Sequence, residues 1–247
     1  MRITQQPAYV LHHYSYGETS LLLEVFTRSY GRLGVLAKGA RRVHLRQRPV
    51  LEPFQPLLIG WTGKGELPLL SGAELAADPV FLQGSTLYCA FYMNELLIRL
   101  LHRHDAHELL FDAYGSALRA LRDQASAEVT LRLFEKRLLQ EIGYGLVLEN
   151  EMTDNAPIDP AGMYRYVVNR GPVRVTGGDN VDKLDHAVPI QGATLLALAR
   201  ETLGDIKVLQ ETKALMRAAL GQHLAGRPLN TRKLFRNIKH TPFDERD

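Results

Sequence analysis

The sequence predicts an α+β chain, with a small N-terminal β-barrel followed by a helical domain that carries a loop-rich insert. Three observations carry this. Residues 7–77 read as five short strand-like runs separated by turn residues. Near Asp78-Pro79 the apolar spacing changes from a period of about two to a helical one. Proline and glycine then break the helical pattern between Glu149 and Pro189 before it resumes.

The strand runs come in quick succession. Ala8 to Tyr14 is the first, and Ser20 to Thr27 (SLLLEVFT) follows a Gly17-Glu18 turn. Arg28-Ser29-Tyr30-Gly31 connects it to Leu33 to Lys38. Pro53 and Pro56 punctuate Val50 to Trp61, because a proline cannot donate to a ladder and sits at an edge or bulge. Glu66 to Leu75 returns after Thr62-Gly63-Lys64-Gly65. Five short strands in this space fit an OB-fold barrel, with a Greek-key sandwich as the alternative. The expected domains are residues 1–80 for the barrel and 81–247 for the helices, with the insert at about 150–190.

Helical periodicity appears over Ser85 to Arg103 and His107 to Arg122. Ser126 is placed to cap a third helix, with Glu128 in its first turn favoured by the helix dipole. Leu131, Phe134, Leu138 and Ile142 form its apolar stripe, and Gly143 or Gly145 ends it. These three helices are expected to pack on one another. Within the insert, Tyr164 to Val168 and Pro172 to Thr176 suit a small hairpin around Asn169-Arg170-Gly171. Helices resume at Thr194 to Leu203 and Thr212 to Leu224, and a last one follows Asn230 or Thr231.

Composition narrows the function classes. A hydrophobic fraction of 45% with 23% charged residues is ordinary for a chain that buries a core. Net charge is only +3, but its distribution is uneven. Arg28 to Arg48 holds Arg28, Arg32, Lys38, Arg41, Arg42, Arg46 and Arg48 and no acid. Thr212 to Phe243 is likewise free of acids and includes Arg232, Lys233 and Arg236. A one-signed loop at a strand end concentrates positive potential and attracts polyanions. Charge alone also fits a merely soluble basic loop. Aromatic residues beside it (Tyr14, Tyr16, Phe26, Tyr30, Phe54, Trp61) would stack on bases where they face outward, with Tyr30 expected to be the exposed one.

Other chemistry finds little support. Cys89 is the only cysteine, so neither an intrachain disulfide nor a cysteine-rich zinc site can form, as suits a reducing compartment. The opening MRITQQPAYV lacks the apolar core of a signal peptide, and no apolar run reaches the roughly 20 residues of a membrane span. A soluble intracellular protein is expected. His102, His104, Asp105 and His107 lack a helical metal-ligand spacing. Asp154, Asp159, Asp179, Asp182 and Asp185 lie in the insert without a fixed element to aim them. Gly63-Lys64-Gly65 is too short for a P-loop, so it reads as a turn whose Lys64 touches a phosphate. No G-x-S-x-G elbow occurs. No catalytic constellation and no cofactor site stands out.

The chain resembles the RecO family of bacterial recombination mediators. The resemblance rests on GETSLLLEVFTRSYGRLGVLAKGARR, LEPFQPLLI, TLYCAFYMNELLIRLL, LRLFEKRLLQEIGYG, MYRY and RPLNTRKLFR, six segments in order over the whole length. It implies an OB domain, then a helical domain whose insert is a degenerate zinc-ribbon-like region here, since the zinc-holding cysteines of many members are missing. It implies binding of single- and double-stranded DNA, annealing of complementary strands, and a cytoplasmic, nucleoid-associated location. It also implies that the protein, with RecR, helps load RecA onto DNA covered by single-stranded-DNA-binding protein (SSB). Lys38, Arg41 and Arg42 lie in the AKGARR motif and would contact phosphates, with Arg46 and Arg48 extending the patch. Arg132 would pair with the terminal carboxylate of the SSB tail. A protein-interaction adaptor and an OB-fold RNA binder remain as alternative readings.

Overall fold

A computed structural model describes residues 2–42, 50–63, 65–175, 187–224 and 227–231. Of these, residues 2–125 and 228–231 form one compact unit and 126–227 a second.

The first unit is built on five strands: β1 (Arg2–Tyr16), β2 (Ser20–Thr27), β3 (Gly31–Ala37), β4 (Leu57–Thr62) and β5 (Leu69–Leu75). They close into a barrel in the order β1-β2-β3-β5-β4, every pairing antiparallel except the β3–β5 join, as an OB-type barrel requires. Alternation decides the inside. Leu21, Leu23 and Val25, then Leu33, Val35 and Ala37, then Leu57, Ile59 and Trp61 point into one buried core. β1 is twice the expected length because it serves two neighbours. Its first half pairs with β4 and its second with β2, with irregularities between Ile3 and Gln6 and between Val10 and His12. β4 starts later than expected. Residues 50–54 form turns instead, with Leu51 and Phe54 buried and Phe54 at φ 73°.

Two helices, α1 (Gly84–Leu100) and α2 (Glu108–Arg122), cover part of the barrel's outer face. Tyr9 and Phe26, paired across β1 and β2, meet Phe111 at ring-centroid distances of 5.2 and 5.4 Å and Tyr114 at 5.0 and 6.5 Å. Asn94 donates to the Leu11 carbonyl at 2.7 Å and accepts from the buried Tyr114 hydroxyl at 2.5 Å. The Glu95 carboxylate accepts from the backbone N–H groups of Asn230 and Thr231 at 2.8 and 2.9 Å, and pairs with Arg99 at 2.6 Å. Burial pushes the Glu95 pKa up, but the hydrogen bonds from Thr231 and Asn230 outweigh it and hold it below the usual glutamate value. The stretch from Pro228 to Thr231 is thereby fixed to α1. The last helix expected after Asn230 begins at these two residues, and the rest of it lies outside the described residues.

The second unit opens with α3 (Ala127–Glu141), capped by the Ser126 hydroxyl on the Val129 N–H at 3.4 Å. A three-stranded sheet follows, in the order β7-β6-β8: β6 (Met163–Val167), β7 (Gly171–Arg174) and β8 (Val188–Gln191). Asn169 at φ 64° and Gly171 at φ 129° make the β6–β7 hairpin turn. The small hairpin expected around Asn169-Arg170-Gly171 is thus present. β8 was not expected, and Tyr164 and Tyr166 are fully buried. Tyr164 donates its hydroxyl to Glu151 at 3.1 Å and accepts the Asp159 N–H at 2.9 Å. Burial drives the Tyr166 pKa to about 12. Arg174 bridges to Asp159 at 2.7 Å. Then come α4 (Gly192–Ala199) and α5 (Ile206–His223). α5 starts six residues earlier than expected because Asp205 caps it, accepting from the Lys207 and Val208 N–H groups at 2.7 and 3.2 Å. Lys136 of α3 donates to the Leu198 and Ala199 carbonyls at the end of α4, each at 3.0 Å.

Candidate nucleic-acid interface

The outer face of β1, β2 and β3 divides into rows that register fixes. Directly opposite residues share a face, so Tyr9, Phe26 and Arg32 make one row, and His12, Glu24 and Gly34 the next. Tyr14, Leu22 and Leu36 make a third. Tyr16 and Ser20 make the last, and Lys38, which follows the final paired residue of β3, lies beside Ser20. Tyr9 and Phe26 of the first row are buried under α2, while Tyr14 and Tyr16 at the other end stay open at 53% and 51% exposure.

Lys38, Arg41 and Arg42 are exposed at this open end. The turn that carries them is tied to the β1–β2 turn. The Arg41 N–H donates to the Thr19 carbonyl at 2.8 Å, its Nη1 reaches the Gly17 carbonyl at 3.3 Å, and the Gly39 N–H meets the Ser20 hydroxyl at 3.4 Å. Backbone bonds of this kind hold a cationic loop in one place without spending its charge on a carboxylate. Glu18, exposed in the neighbouring turn, is the one acid on residues 14–22 and 36–42.

Arg28 and Arg32, expected to meet phosphates, are placed differently. Arg32 sits in a buried ion pair with Glu24, which is 8% exposed, and donates to the Leu101 carbonyl from Nε at 3.1 Å and Nη2 at 3.0 Å. Arg103 holds the other Glu24 oxygen at 2.6 Å. A phosphate would have to displace a desolvated carboxylate, so the expectation for Arg32 gives way to a structural role. Arg28 pairs with Glu108 at 2.7 Å and Asp112 at 3.1 Å, fastening the β2–β3 hairpin to α2. Its charge is already compensated twice.

Tyr30, expected to be exposed, is half-buried and packs edge-on against Trp61 at 5.2 Å. The open rings are Tyr14 and Tyr16, which the period-two pattern of β1 places on one side. His12 continues this side, its ring 4.4 Å from that of Tyr14. Burial, with His13 alongside, holds the His12 imidazole below its ordinary pKa. It is therefore mostly uncharged near neutral pH.

Arg132 lies on α3, 8% exposed, with Nη2 on the Glu135 carboxylate at 2.8 Å. Its Nε is buried and finds no partner among the described residues. Arg46, Arg48, Lys64, Arg232, Lys233 and Arg236 lie outside the described residues, as do Asp179, Asp182 and Asp185. Among the described residues no group of three His, Cys, Asp or Glu side chains is arranged to hold a metal ion. No helix among them is long and apolar enough to cross a membrane.

Two family models account for nearly the whole chain. Residues 1–78 match "Recombination protein O N terminal" and residues 82–233 match "Recombination protein O C terminal". A DNA repair protein RecO of Dechloromonas aromatica is 44% identical over 241 residues, covering 96% of this chain and 97% of its own. Its counterpart in Nitrosococcus oceani is 45% identical over 239 residues, 97% of this chain and 95% of its own. That of Aromatoleum aromaticum is 43% identical over 239 residues, 96% and 97%. With both halves matched in order and relatives alike from end to end, the chain belongs to the recombination protein O (RecO) family.

Proposed function

We propose that the chain is a DNA-binding repair and recombination factor that anneals complementary strands and makes or breaks no covalent bond. With RecR it would help load RecA onto SSB-coated single strands, working in the cytoplasm at the nucleoid. The relatives' name, DNA repair protein RecO, supports the repair role. The observation that carries DNA binding is the open end of the barrel, where Lys38, Arg41 and Arg42 project beside uncovered sheet. Pairing two polyanions is opposed by Coulomb repulsion. Cations fixed on one body lower that barrier, and each phosphate they neutralise releases a counterion.

The test is a salt series on single-stranded DNA. Reversing charge with Arg41→Glu and Arg42→Glu removes two contacts, so the slope of log K against log salt should flatten by about 1.4. An unchanged slope would remove this loop from the interface.

The adaptor reading has one observation in its favour: the buried Nε of Arg132, which finds no partner among the described residues, is a donor that a second carboxylate would satisfy. In this reading Arg132 takes the terminal carboxylate of the SSB tail. Arg132→Lys keeps a cation beside Glu135 but loses the fork. It should weaken binding of an SSB-tail peptide by roughly tenfold, on the scale of one charge-assisted hydrogen bond, while DNA affinity holds. Equal peptide affinity in the two proteins would exclude the residue.

A further inference from the structure

We propose that Tyr14 and Tyr16, with His12 behind them, form a base-stacking stripe that makes the barrel prefer unpaired nucleic acid over duplex. The inference rests on the DNA-binding reading above and assigns it a second component, distinct from charge.

The three residues alternate along β1 after its irregularity at Val10–His12, so their rings leave the same side of the strand. All three are exposed, and two are large aromatic rings about half open to solvent. The other aromatic pair on this face, Tyr9 and Phe26, is covered by α2. No described helix ring contacts Tyr14 or Tyr16, and the row neighbours of Tyr14 (Leu22 and Leu36) and of Tyr16 (Ser20) are themselves only partly buried. His12 packs edge-on against Tyr14 at 4.4 Å and closes that end of the stripe. Tyr14 and Tyr16, two apart on the strand, are spaced by about 6.8 Å along the backbone, and a stacked base is about 3.4 Å thick, so one base has room between these two.

Charge complementarity names the occupant. Lys38 lies beside Ser20, the register partner of Tyr16, and Arg41 is tied to the turn immediately after Tyr16. A strand whose bases lie on the rings would therefore run its phosphates past Lys38, Arg41 and the adjoining exposed Arg42. An apolar protein partner would gain nothing from those charges. A duplex could use the cations, but its bases are already stacked and show the rings no open face. The stripe thus separates single strand from duplex, whereas the cations serve both.

The experiment compares the full chain with the Tyr14→Leu, Tyr16→Leu double variant. Binding to an oligothymidylate and to a duplex of equal length is followed by fluorescence anisotropy. Loss of stacking should weaken oligothymidylate binding by about 5- to 150-fold per base while duplex affinity holds. The Tyr14→Phe, Tyr16→Phe variant, which keeps the rings, should restore single-strand binding. Equal losses on both nucleic acids, unchanged binding to the single strand, or no rescue by phenylalanine would each overturn the stripe. Failure of the parent reading looks different: Arg41→Glu with Arg42→Glu would then leave both affinities unchanged, whatever the tyrosine variants do.

Discussion

Replacing Arg32 by alanine should cost about 3 kcal/mol of unfolding free energy, because it strips one partner from a buried carboxylate. Glu24 is 8% exposed and lies between Arg32 and Arg103. Arg103 would remain, which places the loss at the lower end of the range for broken buried pairs. Two further hydrogen bonds, from Nε and Nη2 to the Leu101 carbonyl, vanish with the guanidinium. These bonds and the His104 N–H on the Arg32 carbonyl at 2.9 Å attach the β2–β3 hairpin to the connection between α1 and α2. Urea unfolding of the variant should therefore show a lower midpoint. The salt slope of single-stranded DNA binding, measured where the variant is folded, should equal that of the unchanged protein. A flattened slope with unaltered stability would return Arg32 to the DNA-contacting set.

How much of this could be read from residues alone depends on how far away the deciding partner lies. The barrel core was legible because its signal is local. Leu21, Leu23 and Val25 alternate within six residues, and so do Leu33, Val35 and Ala37. The capping of α3 was legible for the same reason, since Ser126 acts three residues away. The first half of β1 was not. Arg2 to Gln6 is polar and irregularly paired, so no alternation marks it. β8 has four residues, too few for a period to emerge.

The basic patch shows the same division. A run of cations is visible as sign, but compensation is not. The partners of Arg28 are Glu108 and Asp112, about 80 residues away in sequence. Glu24 was nearer to hand. The hairpin pairs Phe26 with Arg32 and Glu24 with Gly34, so the two charged residues are diagonal neighbours on one face. Counting back across the turn would have found that pair. Tyr14 and Tyr30 were ranked in the wrong order because exposure depends on what covers a ring. Trp61, the cover of Tyr30, is 31 positions on, and the uncovered state of Tyr14 follows only from where α1 and α2 lie.

Gly31→Ala is expected to be the more damaging change at the same seam. Gly31 begins β3 at φ +65°, a conformation that costs a residue bearing a Cβ about 1–2 kcal/mol. A Cβ there would also lie 2.0 Å from the Asp105 carbonyl oxygen and 2.5 Å from its carbon. Backbone cannot rotate aside as a flexible side chain can, so the hairpin and residue 105 must separate. Overpacking of this kind adds a further 1–3 kcal/mol, for a total of about 4 kcal/mol. The Thr27 hydroxyl, which donates to the Gly31 carbonyl at 2.9 Å, and the Arg32–Leu101 bonds share the strained turn. Opening the turn therefore weakens the contacts that Arg32→Ala removes outright. Combining the two substitutions should cost less than the sum of their separate effects, since each relieves the same docking. Urea unfolding of both single variants and the double variant measures that coupling. Strict additivity would mean that the glycine serves the turn alone and that the hairpin does not need Asp105 to stay in place.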